Sequence, residues 1–131
     1  MGENDFHVLL VDDEEDFLSV VAKRLAKREL RVATATSGEG ALAHIEAAPV
    51  DVVVLDLKMP DMDGLQTLRA IKAMKPGIEV IMLTGHADLA TAVSGMEIGA
   101  FDYLLKPTDV DELLYKLRDA RKKQLLGQAK R

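Results

Sequence analysis

Short apolar runs alternate along the chain with longer segments of mixed polarity. Five runs are short enough for buried strands: HVLLV (7–11), RVATA (31–35), DVVVL (51–55), EVIML (79–83) and FDYLL (101–105). In the intervening segments, apolar residues recur at three- and four-residue spacing, which predicts helices. These positions are Phe17, Val20, Val21 and Leu25; Ala41, Leu42 and Ile45; Leu65, Leu68, Ile71 and Met74; Leu89, Val93 and Met96; and Val110, Leu113, Leu114 and Leu117.

Five strand–helix units in succession predict an α/β protein. A strand–helix–strand crossover forces parallel pairing, so we expect a (βα)5 doubly wound, five-stranded parallel sheet with helices on both faces. Capping-box spacing supports three of the helix starts, at Thr36 with Glu39, Asp109 with Glu112 and, in modified form, Asp63 with Gln66. All four prolines (49, 60, 76 and 107) fall in predicted connections.

Composition narrows the class of protein. The 131 residues are 48% hydrophobic and 30% charged, as in one ordinary soluble domain. A chain without cysteine has no disulfide, thiolate metal site or cysteine nucleophile. No apolar run approaches the roughly 20 residues of a membrane span, and no leader pattern follows Met1, so a cytoplasmic protein without membrane contact is expected.

Charge and the chain end add two further expectations. The net charge of −5 argues against direct nucleic-acid binding by this segment, despite basic residues at 121–123 and 130–131. Those positions are interpreted as a solvated helix face and tail. We expect one domain over residues 1–123, followed by a fraying tail or the start of a linker over 124–131.

Polar residues at the strand ends carry the candidate chemistry, because open parallel sheets bind ligands at the carboxyl ends of their strands. The first strand is followed by Asp12 and Asp13, the third ends in Asp56, and Thr84 and Lys106 follow the fourth and fifth. Crowded carboxylates repel one another unless a cation joins them. Oxygen ligands of this kind suit Mg²⁺, with Mn²⁺ as an alternative. A lysine and a hydroxyl would then meet a bound oxyanion.

These residues, in this order, give the sequence a specific resemblance. Asp12-Asp13, then Asp56 with Pro60 and Gly64 in LDLKMPDMDG, then Thr84-Gly85 and Lys106-Pro107, resemble the receiver domains of bacterial two-component response regulators over about residues 6 to 123. The resemblance implies strand order 2-1-3-4-5. It also implies a switch that accepts a phosphoryl group from a histidine kinase or phosphotransfer protein and catalyses only its own modification.

The resemblance further implies a role for each motif residue. Asp56 would be the phosphoacceptor, Thr84 and Lys106 would contact the phosphoryl oxygens, and Mg²⁺ would be held by the acid residues and a backbone carbonyl. The implied metal ligands are Asp12, Asp13, Asp56 and the carbonyl of Lys58. Lys58 and His86 would tune the lifetime of the phosphoryl group. Thr84 and Tyr103 would form the switch.

Two alternative functions make different demands on the sequence. A haloacid-dehalogenase-like phosphatase would need a second acid two residues after Asp56, where Lys58 stands. A flavodoxin-like FMN carrier would need hydroxyl-rich or glycine-rich residues after the first strand, where this chain has four consecutive acids, residues 12–15. Both are therefore disfavoured. The implied switch surface is the fourth helix (about 88–98), the fifth strand and the fifth helix (about 109–123), which would bind a partner or a second copy of the chain.

Overall fold

Five strands and five α-helices alternate in the computed structural model, which describes residues 5–59 and 63–129. The elements are β1 (His7–Val11), α1 (Glu15–Ala26), β2 (Arg31–Ala35), α2 (Gly38–Ala47), β3 (Val52–Asp56), α3 (Gly64–Met74), β4 (Glu79–Thr84), a 3₁₀ turn (His86–Asp88), α4 (Leu89–Ile98), β5 (Asp102–Leu105) and α5 (Val110–Ala129). The strands form one parallel sheet in the order β2-β1-β3-β4-β5. The predicted α/β class and strand order are confirmed.

The sheet separates two hydrophobic cores, because successive side chains of a strand point to opposite faces. On one face, Leu10, Val54 and Leu104 pack with α1 and α5. On the other, Val53 and Met82 pack with α2, α3 and α4. Strands β3 and β4 are buried along their whole length. Their continuous apolar runs are what burial on both faces requires.

The predicted face of α4 is wrong, and the predicted face of α1 is wrong at one residue. In α4 the large residues Leu89, Val93 and Met96 are exposed, whereas the small residues Ala92 and Gly95 face the sheet. A side-chain carbon on Gly95 would lie 2.1 Å from the sulfur of Met82, so α4 packs too closely for a larger residue there. In α1 the prediction is right for Val21 and Leu25, which are buried, and for Phe17, which packs against the same core. It is wrong for Val20, which is half exposed, while Leu18 is buried. Periodicity therefore misplaced the inner face of α4 and one residue of α1.

Helix starts follow the predicted caps in two of three cases. Asp63 and Gln66 make both bonds of a capping box at α3. Asp109 precedes α5 and accepts the amide of Asp111. The prediction of Thr36 at the start of α2 is wrong by one residue: Ser37 is the cap and accepts the amide of Gly40 at 3.0 Å. Three of the four prolines lie in connections, and Pro60 lies outside the described residues.

Helix α5 continues beyond its predicted end near residue 123. Gln124 is buried, and its amide donates to the carbonyls of Asp51 at 2.8 Å and Gly77 at 2.9 Å. Arg121 bonds the carboxylate of Asp51 at 3.1 Å. Residues 124–129 therefore continue α5 where a fraying tail was expected, and the contacts of Gln124 hold the helix against the segments that precede β3 and follow α3. The domain boundary at residue 123 stays a prediction. Over the described ranges, none of the helices combines the length and apolarity that crossing a membrane requires.

Gly64 is required by a close approach of two backbone segments. A β-carbon there would lie 2.4 Å from the α-carbon of Leu57 and 2.8 Å from its carbonyl oxygen. The amide of Gly64 donates to the same carbonyl at 3.1 Å. Since both obstacles are backbone atoms, the clash cannot be relieved by a side-chain rotation. Gly64 thereby lets the chain turn from the end of β3 directly into α3.

We predict that Gly64→Ala lowers the free energy of unfolding by about 1–3 kcal/mol, the usual cost of overpacking. Gly127→Ala is the matched control, because nothing lies within 4 Å of a β-carbon at that position in α5. That substitution should be neutral or stabilise the helix by up to about 1 kcal/mol. Chemical denaturation of both variants measures the difference. Equal stability of the two would contradict the close-approach argument.

Candidate functional site

Asp12 and Asp56 are brought side by side by the pairing of β1 with β3. The register matches Leu10 with Val54 and Val11 with Leu55, so one further step places Asp12 beside Asp56. Paired residues of neighbouring parallel strands point to the same face, here the face of α1 and α5. Two carboxylates therefore lie at the carboxyl ends of two adjacent buried strands, at one edge of the sheet.

Together with Asp13 these residues form an acidic cluster. One carboxylate oxygen from each of Asp12, Asp13 and Asp56 lies within 4.8 Å of the others. Asp12 is 1% exposed and Asp56 6% exposed, whereas Asp13 is exposed. Buried carboxylates this close require compensating positive charge. The cluster has hard oxygen donors and an open side, a combination that suits Mg²⁺, which keeps several waters.

Lys106 supplies the positive charge that the protein itself contributes. Its ammonium lies 2.6 Å from Asp12, and 3.7 Å from a carboxylate oxygen of Asp56. Only a long side chain reaches Asp12 from the end of β5, since β3 and β4 lie between β5 and β1. Burial by itself lowers the pKa of Lys106. The hydrogen bond to Asp12 and the attraction of Asp56 outweigh it, so the pKa lies above its ordinary value.

Asp56 is a carboxylate that the site only partly stabilises. Burial raises its pKa to about 6. The amide of Lys58, which donates to Asp56 at 3.2 Å, opposes this rise, and Lys106 opposes it more weakly. The charges of Asp12 and Asp13 add to the rise. The surroundings of Asp56 therefore disfavour its anionic form, and additional positive charge at the site would stabilise that form.

An open cleft of about 550 Å³ gives access to Asp56. It is lined by Asp13, Glu14, Asp56, Lys58, Met59, Gly85, Asp88 and Lys106. Thr84 lies beside this cleft at the end of β4, and its hydroxyl donates to the carbonyl of Gly85 at 3.2 Å.

The predicted site residues thus divide into those that the structure brings together and those that it leaves apart. Asp12, Asp13, Asp56 and Lys106 meet, and Lys58 lines the same cleft. Tyr103 lies on β5 with 38% of its surface exposed, on the opposite face from Lys106. The side chain of His86, like Pro60, lies outside the described residues.

The sequence analysis gave no role to three residues that lie at the site. Asp88 lines the cleft from the 3₁₀ turn, and Glu14 lies 3.7 Å from Lys106. The ring of Phe17 lies beneath the same ammonium, 4.6 Å from it. The spacing of Phe17 predicted only that it lies on the apolar face of a helix. Spacing does not indicate whether a side chain contacts a cation. The four-acid run 12–15 was the signal available for Glu14.

Comparison with known sequences decides the family. The sequence profile described as the response regulator receiver domain matches residues 8–118. The chain belongs to the response regulator receiver family. It is a receiver domain of two-component signalling, which accords with the α/β order and the acidic cluster described above. Receivers take a phosphoryl group from kinases, and their acidic residues bind Mg²⁺.

Curated relatives are regulators that extend beyond the part matched here. The transcriptional regulatory protein GlrR of Escherichia coli K12 is 38% identical over 120 residues, which is 92% of this chain and 27% of that protein. The photosynthetic apparatus regulatory protein RegA of Cereibacter sphaeroides is 39% identical over 113 residues, which is 86% of this chain and 61% of that protein. The chain thus spans about a quarter of GlrR.

Solved structures of receiver domains superpose closely on this chain. The receiver domain of NtrX from Brucella abortus superposes with a TM-score of 0.84 at 35% identity, covering 88% of this chain and 98% of that one. A response regulator receiver domain protein from Clostridium thermocellum gives a TM-score of 0.88 at 36% identity, covering 92% and 98%. The receiver fold is therefore shared over nearly the whole length of both chains.

The raised pKa of Asp56 predicts a pH-dependent stability in the metal-free protein. The folded chain holds this proton more tightly than the unfolded chain, so Asp56 destabilises the fold above about pH 6 and ceases to do so near pH 4. In EDTA, Asp56→Asn should stabilise the protein by about 1–3 kcal/mol near pH 7.5 and by less near pH 5. Chemical denaturation at the two pH values measures this.

The control removes one negative charge from an exposed position of α2, in Glu46→Gln. Its effect on stability should be small at both pH values. A stabilisation by Asp56→Asn that is no larger near pH 7.5 than near pH 5 would contradict the electrostatic description of the site.

Proposed function

We propose that this receiver accepts a phosphoryl group on Asp56. The observation that carries the proposal is the position of Asp56: a buried carboxylate at the end of a strand, open to a cleft, within 4 Å of an ammonium and inside a cluster of three acids. No other carboxylate of the cluster combines burial with a place in the lining of the cleft, among the residues that the structure describes. Asp12 is buried but already bonded to Lys106.

The chemical step is nucleophilic. A carboxylate oxygen of Asp56 forms a bond to phosphorus as the bond from phosphorus to the donor breaks, and the donor leaves with the electron pair. With a phosphohistidine donor the leaving group is the imidazole nitrogen, which takes up a proton. Hydrolysis later transfers the group to water and restores the carboxylate. The product is an acyl phosphate, and the domain acts on no substrate besides itself.

Charge neutralisation is what this step needs most. Mg²⁺, or Mn²⁺ in its place, would be held by Asp12, Asp13, Asp56 and the backbone carbonyl of Lys58, and would supply positive charge to the transferred oxygens. Lys106 adds a second cation that the chain provides itself. Thr84 directly follows Leu83, the residue that pairs with Asp56, and its hydroxyl would leave the carbonyl of Gly85 to bind a phosphoryl oxygen. Each of these groups counters negative charge that the phosphoryl group brings.

The partners follow from this reaction. The donor would be a histidine kinase or a histidine phosphotransfer protein. We propose a cytoplasmic location, which is supported by relatives named as transcriptional regulators. Residues 1–123 would form the receiver, and residues 124–131, the first of which continue α5, would be a C-terminal tail or the start of a linker. Direct contact with nucleic acid is not expected of this segment, since Arg121 and Lys123 pair with Asp51 and Glu79.

The proposal predicts that acetyl phosphate labels Asp56 in the presence of Mg²⁺. Asp56→Asn should remove the label, because an amide is not a nucleophile of this kind, and EDTA should strongly reduce labelling of the wild type. Intact-mass and peptide mass spectrometry measure both effects. Asp88→Asn, which alters an acid in the same cleft outside the cluster, is the control and should still be labelled. A retained adduct in Asp56→Asn sinks the assignment.

Lys58 and His86 are proposed to tune how long the phosphoryl group lasts. Lys58 lines the cleft two residues after Asp56. By the family resemblance, these positions flank the path of the attacking water. A long cation and an imidazole would hinder or orient that water.

Replacing both residues by alanine should therefore change the rate of dephosphorylation severalfold. The free energy of unfolding should change by no more than about 0.5 kcal/mol, as is usual for surface substitutions. Decay of the acyl phosphate, followed after removal of the donor, gives the rate. An unchanged half-life in the double variant would rule out this role.

Thr84 and Tyr103 are proposed as the switch. Both lie on the α4 side of the sheet, since Met82 pairs with Tyr103 and strand alternation places Thr84 on the face of Met82. If the hydroxyl of Thr84 moves to a phosphoryl oxygen, it leaves space that the ring of Tyr103 can enter. The surface of α4, β5 and α5 would then change and bind a partner or a second copy of the chain.

Beryllofluoride, a phosphoryl mimic, tests this coupling. In the wild type, NMR shifts should appear around Asp56 and also across residues 88–123, whereas in Thr84→Ala the distant shifts should weaken. The hydroxyl is the proposed link, so its removal should leave local binding and reduce the remote response. Shifts confined to the surroundings of Asp56 in the wild type would exclude the proposed switch.

A further inference from the structure

Phe17 places an aromatic ring against the ammonium of Lys106. It lies in the first turn of α1, partly buried and packed against the core beneath that helix. The Lys106 nitrogen lies 4.6 Å from the centre of its ring. At this distance the negative face of the ring attracts a cation. The contact joins α1 to the end of β5, two elements that the sheet order keeps apart.

The ring and the carboxylates hold the same ammonium in different ways. Asp12 is at hydrogen-bond distance, 2.6 Å, while Glu14 and Asp56 lie at 3.7 Å. A hydrogen bond to a carboxylate is directional and ties the nitrogen to one oxygen. Attraction to the face of a ring is less directional, so it persists while the nitrogen moves by a short distance. Phe17 is therefore the one contact in this set that does not compete for the protons of the ammonium.

Lys106 must change acceptors if it is to assist the proposed reaction. In the unmodified protein it bonds Asp12, the same carboxylate that belongs to the acidic cluster. A divalent cation held at the cluster would draw on the same carboxylate. The ammonium of Lys106 would then be available to a phosphoryl oxygen on Asp56, toward which it has only a short distance to move.

We propose that Phe17 is a positioning residue that keeps the ammonium of Lys106 at the mouth of the site while its hydrogen-bond partner changes from Asp12 to the phosphoryl group. The proposal rests on the phosphorylation of Asp56 proposed above. It assigns to α1 a direct part in phosphoryl transfer through the ring of Phe17. If the role of Phe17 were purely structural, another apolar side chain of similar size would serve equally well in its place.

The discriminating variants are Phe17→Leu, which keeps apolar packing without a ring, and Phe17→Tyr, which restores a ring. Val20→Leu is the control, because Val20 lies on the same helix and its side chain is half exposed. The initial rate of Asp56 labelling by acetyl phosphate in Mg²⁺ is measured for each. Thermal unfolding of each variant separates a loss of fold from a loss of rate.

Phe17→Leu should be labelled about two- to fivefold more slowly, which corresponds to the roughly 0.5–1 kcal/mol of an accessible cation–π contact. Phe17→Tyr should recover most of the wild-type rate, and Val20→Leu should retain it. Labelling of a folded Phe17→Leu at the wild-type rate would overturn the proposal. An equal slowing in Phe17→Tyr would also overturn it, since the ring itself would then not matter.

A second readout does not depend on phosphorylation. The ring should shield the ε-methylene protons of Lys106 in the unmodified protein, and this NMR shift should be lost in Phe17→Leu and kept in Phe17→Tyr. Identical shifts in all variants would show that the contact is absent and would end the proposal. If the shifts behave as expected but the wild type is not labelled on Asp56, the failure lies in the proposed function and not in the contact between Phe17 and Lys106.

Discussion

The attraction between Lys106 and the two buried carboxylates is the interaction on which the site depends. Asp12 and Asp56 follow strands that are covered on both faces, so their charges are poorly hydrated and repel each other. One ammonium, 2.6 Å and 3.7 Å from them, offsets part of this cost. The remaining excess of negative charge favours a cation at this edge of the sheet, as the proposed phosphoryl transfer requires.

The sheet also separates the proposed reaction site from the proposed switch residues. Strand alternation directs Asp12, Asp56 and Lys106 toward α1 and α5, whereas Thr84 and Tyr103 lie on the side of α4. A phosphoryl group on Asp56 would lie at the edge where both faces can be reached. Helix α4 is suited to a response, because it packs through Ala92 and Gly95 and leaves its large apolar residues exposed.

The sequence predicted the elements well where one physical signal dominated. Apolar runs gave β1 and β2 with their observed bounds, and the cap formed by Asp63 and Gln66 was found because its bonds are local. The predictions were wrong where tertiary contacts decide. Gly95 lets α4 approach Met82 closely, so the inner face of α4 was decided by the small size of its side chains and not by their hydrophobicity. Gln124, which looks like a tail residue, is held by carbonyls of two distant segments.

For the site, the sequence by itself determined which residue types stand at the strand ends, because a strand that ends in a buried run must place its next polar residue at the edge. It therefore indicated Asp12, Asp13, Asp56, Thr84 and Lys106 before any coordinates. Only the tertiary structure decided which of these touch, since distances across three strands depend on register and twist. It alone placed Phe17 beneath Lys106, because a contact between residues 89 positions apart leaves no periodic trace in the chain.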